Sequence, residues 1–196
     1  LNFLKKIAKY SLDASGFPKS RNIRQLSFYY KYFVLIREWI KDSQNDVPEY
    51  IDETIYNFGN AYALVCQNLK KSILFNGNHE VDNSNFDNYL SKFGYKFKNT
   101  NQEIGGYLIQ KNKKIALIMD IGPSPEKKFS RDYQSGTLSF EIISNDNKII
   151  SNSGYFQNYK HKLNELSKST ATHSTLILDN TSSCKLRKIC NKGSII

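Results

Sequence analysis

Cysteine is scarce in this 196-residue chain: Cys66, Cys184 and Cys190 make an odd count without a C-x-x-C pair. That speaks against a disulfide scaffold and a zinc ribbon, and leaves Cys184 and Cys190 expected as free thiols. No apolar run approaches the ~18 residues that a helical membrane span requires. The opening LNFLKKIAKYSLDASG carries neither the apolar core nor the small-residue cleavage site of a signal peptide. There is no Walker, Rossmann or zinc-finger motif. Only five of the 28 basic residues are arginine, and no Arg-rich helix or clustered aromatic-basic strand appears, so no nucleic-acid partner is expected. Because the chain opens on Leu1 and stops at the apolar KGSII, we expect an internal piece of a longer protein.

What is present argues for a folded chain with an anionic partner. A hydrophobic content of 39% and an aromatic content of 13% can supply a core and exclude disorder. The net charge of +10 suits a polyanion such as an acidic polysaccharide. The lysines are scattered rather than blocked, and abundant Lys, Asn and Ile also fit an AT-rich coding sequence, so charge alone decides little.

The hydrophobic period changes near residue 100. Leu1, Leu4, Ile7 and Ala8 predict a short helix closed near Gly16-Phe17-Pro18. Ile23, Leu26, Tyr30, Phe33, Val34 and Trp39 predict a long one, with Asn22 as its N-cap. A third helix carries Ile51, Ile55, Phe58, Tyr62 and Val65, with Asp46 as cap and Pro48 in its first turn. A short helix from Asn85 to Lys92 ends at Phe93-Gly94. Beyond that the period is two. Residues 105–112 and 113–122 predict successive strands, residues 136–154 a hairpin around Asn145-Asp146-Asn147, and Thr175–Leu178 and Cys184–Asn191 two further strands. Helices first and strands afterwards give an α+β chain, or two segregated domains.

Six segments then carry a resemblance. GGYLIQKNKKIALIMDIGP, SGTLSFEI, NSGYF and above all STATHSTLILDNTSSC, in that order, resemble the C-terminal domain of the heparinase II/III-like polysaccharide lyases. GFPKSRNIRQLSFYY and LFNGN match the preceding helical part more loosely. The resemblance implies the last helices of an α/α toroid over residues 1–98 and a truncated antiparallel β-sandwich over residues 99–196. It also implies β-elimination on a uronate-containing glycan, as a partner an acidic polysaccharide, and a location in the cell envelope or periplasm. The alternative is a non-catalytic glycan-binding or envelope-assembly protein on the same fold.

Such chemistry needs a group that neutralises the substrate carboxylate, a base for the C5 proton and an acid for the leaving oxygen. His173, set among hydroxyl residues, is the first catalytic candidate, and Tyr30 is the second. Arg21 and Arg24, at i and i+3, could together fork a carboxylate. In many relatives a zinc site is completed at the positions that read Gln134, Asn152 and His173 here. Amides bind zinc poorly beside His and carboxylate, so no cofactor is expected, and Gln134 and Asn152 become substrate-binding candidates. His79 and His161 read as loop histidines, while Asp132-Tyr133 would face the cleft, as the matching loop of the family does.

Overall fold

The computed structural model describes residues 1–184. Three helices come first: α1 (Asn2–Tyr10), α2 (Ile23–Asp42) and α3 (Glu49–Tyr62). The Asn22 side chain accepts a hydrogen bond from the Gln25 N–H at 3.1 Å and caps α2 as its sequence predicts. Pro48, not Asp46, is the N-cap residue of α3, because proline's fixed φ suits the entry to a helix and its missing N–H costs nothing there. The end of α3 widens into a single π turn, Ala63–Gln67, which no periodicity signals. Helix α4 (Ser84–Lys92) stops at Gly94, whose φ of +78° lets the chain turn back.

Aromatic side chains are indifferent helix formers, each about 0.5 kcal/mol worse than alanine. The α2–α3 layer is held by burial instead. Tyr30, Phe33, Phe58 and Tyr62 are all buried, and burying side chains of this size contributes about 1.5–3 kcal/mol apiece, several times the propensity loss. Phe33 and Phe58 meet edge-on at 5.4 Å, and Tyr30 lies 5.4 Å from Tyr62.

The second half is a five-stranded antiparallel meander, in which each strand pairs with the next: β1 (Glu103–Ile104), β2 (Tyr107–Lys111), β3 (Ile115–Asp120), β4 (Phe140–Ser144) and β5 (Asn147–Ile150). Asn145 and Asp146 both take positive φ, as a two-residue hairpin turn requires. Tyr107, Ile109, Ala116, Ile118, Asp120, Glu141 and Ile143 alternate along β2 to β4 and form the buried face. A last helix, α5 (Lys162–Ser167), and a 3₁₀ turn at Thr170–Thr172 follow.

Residues 175–178 do not form a strand. Leu176 and Leu178 are exposed at 76% and 66%, and the only pairing among the described residues is a lone bridge from Leu178 to Thr181. Among the described residues the β-branched pattern pairs with no strand, and Thr175 donates its hydroxyl to the Thr137 carbonyl. The strand expected at Cys184–Asn191 lies outside the described residues, apart from Cys184.

One hydrophobic core runs from Leu4 of α1 to Ile143 of β4, so the helices and the sheet share it. Phe17 makes the join. It packs where a Cβ on Gly105 would fall, 2.4 Å from its ring, and lies 5.9 Å from Tyr107.

Candidate functional site

Arg21 stands just before α2 with a φ of +57°, so the helical i, i+3 spacing with Arg24 does not apply and the two guanidinium groups diverge. Arg21 points into the sheet. It donates to the carbonyls of Gly105, Gly106, Gly122 and Pro123 and to Asp120 Oδ1 at 2.5 Å. Asp120 also accepts from Asn76 Nδ2 at 3.0 Å. Burial leaves the Asp120 carboxyl above its ordinary value, although Arg21, Asn76 and the Gly122 N–H all oppose the rise. With its donors committed and 6% of its surface exposed, Arg21 joins the helices to the sheet and has nothing left for a ligand. Tyr30 is also interior. Its hydroxyl has no hydrogen-bond partner among the described residues, and its ring is enclosed by Phe58, Tyr62, Phe86 and Phe97.

Arg24 points the other way, to the junction between α2 and the segments around the sheet. Its guanidinium lies 3.5 Å from Asp132 and 5.8 Å from the Tyr155 ring centre. Tyr155 donates its hydroxyl to Asp132 Oδ1 at 3.0 Å, and Lys168 sits 5.5 Å from the same ring. His79 is close enough to feel the charge of Arg24 and is contacted by the Gln157 amide at 2.9 Å. Burial lifts the Tyr155 phenol above its ordinary value, so it carries its proton at neutral pH. Burial lowers both Lys168 and His79. A groove of about 490 Å³ opens beside Arg24, its lining including Lys70 and Lys71 as well as Asp82 and Asp87.

Gln134, Asn152 and His173 gather behind this cluster. Gln134 is fully buried, accepting from the Gly77 N–H at 3.0 Å and donating to the carbonyls of Gly154 at 3.1 Å and Ser167 at 2.5 Å. Asn152 Oδ1 accepts from the Ser174 N–H at 2.9 Å. The His173 ring lies against Gly136, where an added Cβ would fall 3.1 Å from Cγ, and its Nε2 is buried with no partner among the described residues. Burial pulls the His173 pKa down to about 4, against a hydrogen bond to the Ser167 backbone.

Residues 98–193 match the family described as Heparinase II/III-like, C-terminal. They belong to that family. The heparinase fold extends over the helices as well. A heparinase III structure, the BT4657 gene product, aligns with 92% of this chain at a TM-score of 0.76 and 15% identity. A mutant of the heparan sulfate lyase HepC from Pedobacter heparinus aligns with 92% at a TM-score of 0.74 and 17% identity. The chain spans about a third of the length of these structures, 33% in each case. No curated protein matches it by sequence. The five-stranded sheet thus corresponds to the β-sandwich region of the heparinase fold.

Of the residues at this junction, Arg24 was named from the sequence and Asp132 was expected at the cleft by the matching loop, whereas Tyr155 and Lys168 were not named. Tyr155 stands inside the quoted NSGYF segment, which was the available signal, whereas Lys168 is one of 23 lysines and nothing local marks it. Glu141 was missed too. It is wholly buried in β4 and accepts from the N–H groups of Leu74 and Asn152. No helix among the described residues is long and apolar enough to cross a membrane.

Proposed function

We propose that this chain contributes to a polysaccharide lyase that cleaves a uronate-containing glycan by β-elimination, with the Arg24–Tyr155–Lys168 cluster at its working site. The observation that carries this reading is two cations, Arg24 and Lys168, flanking one buried tyrosine at the junction of helices and sheet. A cation beside the uronate carboxylate offsets its charge and makes the C5 proton more acidic. A base takes that proton, its electron pair forms the C4–C5 double bond, the C4–O bond breaks, and the departing oxygen takes a proton from an acid. No water is consumed. Arg24, always charged and partly exposed, suits the carboxylate. Tyr155 has a proton to give, and His79, held neutral by burial and by Arg24, has a lone pair to accept one. The groove beside Arg24, lined by Lys70 and Lys71 together with Asp82 and Asp87, gives a chain of sugars somewhere to lie. The net charge of +10 favours gathering such a polymer.

The test uses the complete gene product and a panel of acidic glycans, followed by the ultraviolet absorbance of the unsaturated uronate. Absorbance that rises, and falls at least about a hundredfold in rate in Tyr155→Phe, supports the assignment. His173→Ala, run alongside, reports whether that histidine shares in the chemistry. Tight glycan binding without product refutes the lyase and favours the binding protein on the same fold.

A further inference from the structure

The resemblance implies a metal between positions 134, 152 and 173, and the side chains present do not fit one. Zinc takes electron pairs from imidazole, thiolate or carboxylate, four of them in a structural site. Gln134 has turned its oxygen to the Gly77 N–H, and its nitrogen, a donor, faces two carbonyls. The Asn152 oxygen is taken by the Ser174 N–H, its Nδ2 is buried with no partner among the described residues, and an amide N–H₂ offers no lone pair to a metal. Glu141 is occupied by the N–H groups of Leu74 and Asn152 and by the Ser151 hydroxyl. Of these four side chains, only His173, through Nε2, keeps an uncommitted lone pair. Among the described residues no three His, Cys, Asp or Glu side chains come together as a metal-binding group.

We infer that this chain ties its junction without a metal, the buried amide of Gln134 acting as a three-way clamp. The clamp joins Gly77 of the loop before α4, Gly154 beside Tyr155, and Ser167 beside Lys168. It therefore grips the backbone next to both residues that frame the proposed site. Neutral hydrogen bonds of this kind need no deprotonated ligand and are indifferent to chelators. The inference stands whether or not the protein cleaves a glycan, since neither measurement below involves turnover.

The experiment measures the metal content of the purified complete gene product after incubation with zinc and desalting, and its melting temperature with and without chelator. The expected result is below about a tenth of an equivalent of zinc and a melting temperature that chelator leaves unchanged. Stoichiometric zinc, or a melting temperature lowered by chelator, overturns the inference. Gln134→Met removes all three hydrogen bonds at nearly constant volume, and its melting temperature should fall by at least about 5 °C with the zinc content unchanged. A melting temperature equal to that of the unmodified protein overturns the clamp. Should the variant fail to fold, the metal measurement on the unmodified protein still decides.

Discussion

Replacing Arg21 with methionine keeps a long apolar stem beside Tyr107 but removes five hydrogen bonds at once. The four carbonyls lie at turns and can partly recover water. Asp120 cannot: it is 1% exposed, and only Asn76 and the backbone would still support its charge. Stranding one member of a buried ion pair costs about 3–5 kcal/mol, a large part of the 5–15 kcal/mol that holds a domain together. With a urea m-value of about 2 kcal/mol/M, the unfolding midpoint should drop by about 1.5–2.5 M. Circular dichroism during urea titration is the assay. The double variant Arg21→Met with Asp120→Leu removes both charges, so it should be more stable than the two single losses added together, by about 2 kcal/mol or more. A midpoint within about 0.5 M of wild type for Arg21→Met, or strict additivity in the double variant, would refute the idea that this pair fastens the helices to the sheet.

Three further outcomes follow from the same geometry. His173 is held neutral, with its folded pKa depressed to about 4, so the unfolded chain binds more protons between that value and the ordinary 6.5. Stability is therefore full above about pH 6.5 and lost as the pH falls toward 4, by up to about 3 kcal/mol; His173→Gln should flatten that stretch of the urea midpoint against pH, and an unchanged slope would count against it. At Gly77 φ is +83°, and a Cβ would stand 2.3 Å from Asn22 Nδ2 and 3.0 Å from the Asp132 Cβ. Gly77→Ala should cost about 2–3 kcal/mol through backbone strain and a disturbed cap on α2, read as a drop in melting temperature of about 5–10 °C. Glu141→Ala leaves the Leu74 and Asn152 N–H groups unpartnered and should cost about 2–5 kcal/mol; a loss under about 1 kcal/mol would show that water reaches them.

Features set by a few adjacent residues were legible in the sequence. The Asn22 cap, the Gly94 stop and the turn at Asn145-Asp146 need only local chemistry, and all three stand as expected. Where the outcome hung on distant partners, local reading failed. Thr175–Leu178 has strand chemistry but pairs with no strand among the described residues. Arg21 looked like half of a surface fork because nothing near it announces that Gly105, Gly106 and Asp120 will converge on it from the sheet. Gln134 was read as a poor metal ligand and a substrate-binding candidate, and its three backbone partners, which bury it, come from three separate segments. The fold class was carried by period and by the resemblance, while the site depended on which way each side chain turned at the junction.

The contacts of Arg21 also set a timetable for synthesis. Its partners follow it by 84 to 102 positions, and Phe17 waits as long for Gly105 and Tyr107. At a ribosomal pace of about 5–20 residues per second, the helical half is out for roughly 5–20 s before the sheet arrives to cover it. During that interval a buried-type cation and a large aromatic face water or a chaperone. A nascent chain released before Pro123 would never complete the join, and it would present to the cell a helical layer with its inner face open.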